Sequence, residues 1–511
     1  MKKTMLNKVK NRNGKKIEAR SKIATVLPDE SPKKRKKEPG KWLPFAIISS
    51  ILAVIIIVAL ILGGASGTGS ASLDNNINDT GVNWDKYEGT KVTLSGTGKR
   101  SITEAGVYII TGELTDGYIE VNSAGAVKLI LNGVTITNQS GPAIYVANAK
   151  MATIEMADES VNTLTDASIY NGWDEDVRGV LFSHDDLVLQ GSGKLVIQAN
   201  YEDGIVGKDD LKINSGVYII EAKDEGIRGR DSIYIVDGMF EVASGGDAIK
   251  ANNSDEVAKG WVKIDGGEIY ISAGDDGIHA ESSLEINGGI IQISKSYEGL
   301  EGSRITLNGG DVSIIASDDG INAAGGNDSS SPNMGRYQQS SNDYAIYIND
   351  GRLYVNSTGD GIDSNGALYI NGGTVIVDGP TNSGNGALDA ETGVIYNGGS
   401  VVAVGASGMA VAPAESSTKY SISVFFDTTY KTNTGIVIYD DEGSVILKYT
   451  SMKSFQHASF SNEAFKEGET YHIFVNDEEY TSVTLSSKTT QVGQGGMMPG
   501  GGPSNQPGRR W

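Results

Sequence analysis

The sequence predicts an all-β fold, a parallel β-helix or solenoid of about 22 residues per rung, with a C-terminal β cap and an N-terminal transmembrane helix. Three observations carry this. First, one short phrase returns as Glu202-Asp203-Gly204-Ile205, Asp224-Glu225-Gly226-Ile227, Asp247-Ala248-Ile249, Asp275-Asp276-Gly277-Ile278, Tyr297-Glu298-Gly299-Leu300 and Asp318-Asp319-Gly320-Ile321. Measured on the aliphatic residue, the steps are 22, 22, 29, 22 and 21. Second, each phrase is followed by two short alternating strands about an Asn-Gly-Gly or Asp-Gly turn, as in Leu284-Glu285-Ile286, Asn287-Gly288-Gly289, Ile291-Gln292-Ile293. Glycine is expected there for its access to positive φ. Third, the repeats sustain no 3.6-residue period, and the chain holds 67 Gly and no Cys. Units this short can bury apolar residues only inward and against their neighbours, so Ile278, Leu284, Ile286, Ile291 and Ile293 are predicted to line the core.

Residues 1–41 form a basic arm, with 15 Lys and Arg against 4 acidic residues. Residues 42–63 are almost unbroken Ile, Leu, Val and Ala, long enough to span a bilayer. The arm on their N-terminal side predicts a cytoplasmic N-terminus, with the main domain outside the cell. A Gly/Ser/Ala/Asn linker covers 64–83. Beyond the arm, 28 basic residues face 60 acidic ones, a net charge of −32. So acidic an exterior disfavours nucleic acid and suggests divalent counterions.

The solenoid is assigned to 84–415. Its first coils carry Val107-Tyr108-Ile109-Ile110 and Val127-Lys128-Leu129-Ile130-Leu131, behind an atypical cap. Its last carry Asp360-Gly361-Ile362 and Gly386-Ala387-Leu388. Insertions at 252–260 and 325–343 leave corresponding points of their rungs and are expected to wall one edge. From 416 to 488 strands continue without the period, as a β cap. Residues 489–511, rich in Gly, Pro, Met and Gln, are expected to be disordered.

Stacked rungs lie about 4.8 Å apart, so in register the acidic phrases crowd along one edge. Asp203, Asp224, Asp247, Asp275, Asp276, Asp318, Asp319 and Asp360 are the candidate metal ligands, with Glu202, Glu225 and Glu298 beside them. Ca²⁺ suits such a set, because it accepts six to eight oxygens in flexible geometry. The lack of Cys and the four His argue against a soft metal. Aspartates before glycine also cap Asx-type turns without any metal. Tyr234, Tyr347 and Tyr369 on first strands, and Tyr270 and Tyr354 on second strands, fall on outward positions suited to stacking on sugar rings. Cross-strand packing would explain them equally.

The Asp-Gly-Ile phrase followed by a strand and Asn-Gly-Gly, with Tyr108-Ile109-Ile110-Thr111-Gly112 and Leu129-Ile130-Leu131-Asn132-Gly133-Val134, resembles a known family. It is the bacterial extracellular carbohydrate-binding β-helix family, which binds cellulose and polygalacturonate and is similar in fold to family 9 pectate lyases. The resemblance covers roughly 82–487. It implies a right-handed parallel β-helix, bound calcium, and plant-type or acidic polysaccharide as ligand. The N-terminal span and the 325–343 insertion are not parts of the shared pattern.

A membrane-anchored, calcium-binding, polysaccharide-binding surface protein is the leading expectation. The alternative is a calcium-dependent pectate-type lyase acting by β-elimination, with Lys250 as base and Lys208 and Arg228 behind it. A structural adhesin is the third. No acidic pair stands out for a glycosidase.

Overall fold

The computed structural model describes residues 81–256, 258–324 and 344–495, with two paired two-residue strands at Val9–Lys10 and Lys16–Ile17. The expected membrane span, most of the linker and the 325–343 insertion lie outside the described residues. Among the described residues no helix is long and apolar enough to cross a membrane. The helical element there is a three-residue 3-10 turn, Trp84–Lys86, and the fold is all-β.

Each repeat contributes three short strands, and each strand pairs in parallel with its counterparts one repeat away. A first ladder contains Asp203–Gly207, Ile227–Gly229, Ile249–Ala251, Ile321–Ala323 and Ile362–Ser364. Between the third and fourth of these it runs through the starts of Ile278–Ile286 and Leu300–Leu307. A second ladder contains Ser232–Ile235, Trp261–Ile264, Ala345–Ile348 and Ala367–Ile370. The third contains Val217–Ala222, Met239–Ser244, Glu268–Ser272, Arg352–Ser357 and Thr374–Asp378. Three strands per repeat is the larger of the two counts, two or three, that a 22-residue unit without helix allows, and the third lies where the sequence shows the acidic phrase. The acidic phrase is not only a turn; its aliphatic residue lies in a strand of the first ladder.

Period-2 alternation explains the core. Ile205, Ile227, Ile249, Ile278, Leu300, Ile321 and Ile362 align in register, and all are fully buried. Leu284, Ile286 and Ile291 are fully buried too, and Ile293 nearly so, as expected. Tyr218 and Phe240 stack inside at 4.9 Å. Burying one such aliphatic or aromatic side chain contributes about 1.5–3 kcal/mol, and the stack repeats this at every rung.

Two kinds of glycine do different work. The second glycine of each Asn-Gly-Gly turn has positive φ, +90° at Gly289 and +88° at Gly310, as the sequence reading required. The glycine of the acidic phrase does not; a Cβ on Gly299 would lie 2.3 Å from the Gly320 carbonyl oxygen. There the side chain is absent because the next repeat's backbone is too close. The asparagines of the turns form a ladder of their own. Asn308, Asn349, Asn371 and Asn397 each donate an amide N–H to the preceding asparagine Oδ1, at 2.7 to 2.9 Å. Asn287, at its head, donates to Asp265 Oδ1 at 2.7 Å.

The third ladder hands over to the cap. Ser400–Gly405 pairs antiparallel with Phe455–Ser461, which pairs antiparallel with Ser421–Tyr430. A four-stranded antiparallel sheet, ordered Val445–Thr450, Gly435–Asp440, Thr470–Val475, Glu478–Thr484, packs around Ile436, Ile438 and Ile473. The expected disordered tail begins instead as a strand, Thr489–Val492, paired in parallel with Ser421 to Val424. Composition hid it, because its partner lies some 68 residues upstream.

Candidate functional site

The outward face of the first ladder carries the chemistry. One column of side chains, each the residue after the buried aliphatic position, runs through Tyr145, Phe182, Val206, Arg228, Lys250, His279, Glu301, Asn322 and Asp363. Asp389 follows, one residue past the bridge between Ile362 and Leu388. The column changes from aromatic to cationic to anionic. Its register partners lie 21 to 41 residues apart, so its grading follows the repeat and not local sequence.

Beside it runs the acidic column of the phrases. In most of these carboxylates one oxygen is structural. Asp203 Oδ1 accepts the Glu225 N–H at 3.2 Å, Asp247 Oδ1 the Asp276 N–H at 2.8 Å, Asp276 Oδ1 the Glu298 N–H at 3.1 Å. Asp319 Oδ1 accepts the Asp360 N–H at 2.6 Å, and Asp360 Oδ1 accepts that of Gly386. The Asx-turn role weighed against metal binding is therefore present, across repeats rather than within one. The other oxygen faces the graded column.

In the cationic stretch that oxygen has a protein partner. Arg228 Nη1 lies 3.5 Å from Asp203 Oδ2 and 3.6 Å from Glu225. Lys250 Nζ lies 2.5 Å from Asp247 Oδ2, a group only 1% exposed, and 3.7 Å from Glu225. His279 Nδ1 lies between Asp276 Oδ2, at 3.4 Å, and Glu301 Oε2. Burial alone would lower the His279 pKa, yet Asp276 and Glu301 lift it to about 10, favouring the imidazolium between them. Burial opposes the charge on Lys250 as well, but Asp247 and Glu225 outweigh it and hold the ammonium above its ordinary pKa. A proton-abstracting base must be neutral, so the site as it stands does not prepare Lys250 for elimination chemistry.

Further along, the column supplies acids where a cation stood. Asp276, Glu298 and Glu301 bring ligand oxygens within 4.8 Å of one another. Among the described residues, Glu298 Oε2 and Asn322 Oδ1 are buried with no hydrogen-bond partner. Burial, then Glu301 and Asp276, push Glu298 up to about 9. One repeat on, Asp319, Asp360 and Asp363 form a second set within 4.8 Å. Burial and the nearby Asp360 charge raise Asp319 and Asp363 to about 7, and burial with Asp389 and Asp318 raises Asp360 to about 6. Buried hard oxygens that crowd one another, more of them than one imidazolium can neutralise, are the kind of donor set Ca²⁺ takes.

Of the sequence candidates, Asp203 and Asp224 meet with Glu202, and Asp247 meets Asp276 and His279. Asp276 and Asp319 fall in different sets, because the Glu298 repeat lies between them. Asp275 is exposed and Asp318 half-buried at the edge. Glu301, Asn322, Asp363 and Asp389 went unnoticed in the sequence. Their signal was available as the residue directly after each aliphatic position.

The tyrosines divide by neighbour. Tyr347 and Tyr369 stack at 5.0 Å and 6° on adjacent repeats, with Arg304 5.5 Å from the Tyr347 ring. Lys212 and Lys263 lie 4.8 and 5.4 Å from the Tyr234 ring. Tyr270 donates to Glu268 at 3.2 Å, and Tyr354 donates to Asp378, beneath the cap, at 3.1 Å. They do not form one platform.

A loop at 166–178 and the 252–260 insertion border the cationic stretch. Tyr170 and Trp173 of the loop pack against the small outward cluster of Val177, Phe182 and Val206. Asp166 anchors the loop by accepting from Tyr170 Oη at 2.9 Å and from the Asn200 N–H at 2.6 Å. The insertion is tied down by Asn253, which donates to Asp231 at 2.6 Å, and by Asp255, 3.0 Å from Arg230.

Comparison with known proteins adds three likenesses. Residues 97–340 match the model of a family described as carbohydrate-binding domain-containing protein. A protein of Acetivibrio thermocellus described in the same words is 34% identical over 187 residues, which is 34% of this chain and 64% of that protein. The chain thus spans a little under two thirds of that curated relative. A solved chain, described as the polysaccharide lyase-like protein from C. thermocellum in a gadolinium derivative, is 32% identical with a TM-score of 0.36, over 44% of this chain and 86% of that one. The matched region, 97–340, contains the aromatic and cationic parts of the graded column and supports a carbohydrate-binding family.

Proposed function

We propose that this protein binds polysaccharide outside the cell, tethered to the membrane through residues 42–63, on a right-handed parallel β-helix formed by the three ladders. The observation that carries the reading is the carbohydrate-binding family match over the repeats that bear the graded column. The ligands proposed are cellulose-like or acidic plant-type glycans.

Ca²⁺ belongs to the same proposal. The fit rests on buried oxygens of Glu298 and Asn322 that lack a hydrogen-bond partner among the described residues, and on the repelling carboxylates around Asp319, Asp360 and Asp363. Glu298, Glu301 and Asn322, with Asp276, are the residues that would hold one ion. Asp319, Asp360 and Asp363 would hold another. The ion would neutralise buried carboxylates and offer open coordination to ligand oxygens.

The test is co-sedimentation of the protein with a panel of insoluble and gelled polysaccharides, with an assay for unsaturated sugar ends in the supernatant. Retention by at least one glycan without unsaturated product is the expected result. No retention by any glycan overturns the binding reading, and calcium-dependent unsaturated product abolished by Lys250→Ala makes the protein a lyase.

A further inference from the structure

Eight asparagines precede glycine among the described residues, and the structure holds them differently. Such a pair can modify itself, because glycine brings no side chain to shield its backbone nitrogen from the neighbouring side-chain amide. Asn287, Asn308, Asn371 and Asn397 belong to the turn ladder, where the amide is bonded at both ends. Nδ2 donates to the preceding repeat, and Oδ1 accepts from Asn308, Asn349, Asn397 and the Thr418 hydroxyl respectively. The glycine that follows is held as well. Gly372 and Gly398 N–H donate to the Ile348 and Ile370 carbonyls at 3.3 and 3.2 Å, and a Cβ on Gly398 would lie 2.0 Å from the Asn371 carbonyl oxygen. Three further pairs are restrained by other means. Gly366 N–H donates to Ser364 Oγ at 3.1 Å, Gly386 N–H donates to Asp360 Oδ1, and Asn132 lies inside the strand Ala126–Thr137, between the paired residues Leu131 and Val134.

Asn171-Gly172, in the 166–178 loop, has none of these restraints. Among the described residues neither the Asn171 amide nor the Gly172 N–H makes a hydrogen bond. A Cβ on Gly172, at φ +80°, would meet nothing within 4 Å. Exposure does not separate the pairs, since Asn308 and Asn371 are exposed as Asn171 is. The hydrogen bonds do. We propose that Asn171-Gly172 is a self-deamidation site, and that the turn ladder protects its own asparagines from the same reaction. The Gly172 nitrogen, on losing its proton, attacks Asn171 Cγ. The new N–Cγ bond closes a cyclic imide as the Cγ–Nδ2 bond breaks and ammonia leaves, carrying off the proton. Water then adds to either imide carbonyl and opens the ring to aspartate or isoaspartate. Both products give the loop one more negative charge, and its Glu175 and Asp176 already line a cleft with Arg178, Lys208, Arg228 and Arg230. The isoaspartyl product also inserts a side-chain carbon into the backbone between two anchors. These are Tyr170, held by Asp166 and the Gly179 carbonyl, and Trp173, which packs edge-on against Tyr118 and Tyr145.

The experiment incubates the full chain at mildly alkaline pH in heavy-oxygen water, once folded and once in denaturant, and follows each asparagine by peptide mass mapping. Isoaspartate is recognised by its resistance to a protease that cuts at aspartate. In the folded chain Asn171 is expected to convert to a mixture of aspartate and isoaspartate while the ladder asparagines keep their amides. The amide hydrogen bonds that a ladder residue must break make it roughly tenfold slower or more. In denaturant, where the ladder is gone, Asn287, Asn308, Asn371 and Asn397 should convert at rates comparable with Asn171. An intact Asn171 in the folded chain, conversion of a ladder residue at the same rate, or earlier conversion at Asn132, Asn365 or Asn385 overturns the proposal. Ladder asparagines that stay intact in denaturant overturn it too, because their protection would then come from the sequence and not from the ladder.

Discussion

Two stretches of one column solve the same electrostatic problem differently. At Arg228, Lys250 and His279 the protein supplies its own cations to buried carboxylates, and Lys250 approaches Asp247 to 2.5 Å. At Glu301, Asn322 and Asp363 the same register positions hold acceptors, and the neighbouring carboxylates repel one another. The strand register is the same in both, and the residue after the aliphatic position changes from cation to acceptor. The comparison teaches that a repeat can keep its acidic phrase for backbone bonding and choose, at one adjacent position, whether the remaining charge is met internally or from solution.

The sharpest way to break the first half of that comparison is Lys250→Met. It leaves Asp247 buried without its counter-charge, and removing one partner of a buried pair costs about 3–5 kcal/mol. The thermal midpoint should fall markedly, and Asp247→Asn in the same background should recover part of it. An unchanged melt would show that Asp247 needs no internal cation.

The second half is probed by metal. An ion that binds only the folded state stabilises it by about 2.7 kcal/mol at a concentration 100 times its Kd. Calcium titration into the chelated protein should raise the melting temperature. Asp363→Lys, which places a cation in the register of Lys250, should raise the metal-free midpoint and remove the part of the calcium response owed to the Asp319, Asp360 and Asp363 set, leaving the part owed to Glu298 and Glu301. A calcium response identical to wild type in Asp363→Lys would remove that second set as an ion site.

A smaller effect concerns the loop beside the cationic stretch. Burial raises Asp166 to about 6 from an ordinary 3.8, against the hydrogen bonds from Asn200 and Tyr170. Between these values the folded state binds the proton more tightly than the unfolded state does. Its contribution is therefore fully present below pH ~4 and is lost as pH rises through ~6. Asp166→Asn should flatten that part of the stability profile. An identical profile in the variant would assign the slope to other groups.

The smallest expected effect lies on the second ladder, away from the column. Tyr347→Ala removes one ring of a stacked pair, worth about 0.5–1.5 kcal/mol beyond its area, and exposes Tyr369. A modest loss of midpoint with unchanged glycan binding is expected if the pair only packs. Loss of neutral-glucan binding would make it a sugar platform.

The core was legible in the sequence because strand alternation and rung length are local properties. Ile286 and Ile293 could be placed inward from a window of a few residues. The position of the third strand of each repeat was not legible, because Ile227–Gly229 is too short to show alternation and begins within a phrase that reads as a turn. The strand at Thr489–Val492 escaped for a related reason: its Gly- and Gln-rich surroundings resemble a tail, and its pairing is non-local. The acidic edge was visible, but its division into charge-balanced and unbalanced sets was not.

By itself the sequence determined the repeat, the inward aliphatic positions, the Asn-Gly-Gly turns and the presence of an acid before each close backbone approach. Each follows from steric and solvation demands that one residue and its neighbours satisfy. Only the tertiary structure decided which acid meets Arg228, Lys250 or His279, which oxygens of Glu298 and Asn322 are buried without a partner among the described residues, and that Arg178, Lys208, Arg228 and Arg230 line one cleft. Those are facts of register between strands about 22 residues apart, where a charge's nearest neighbours in space are not its neighbours in the chain.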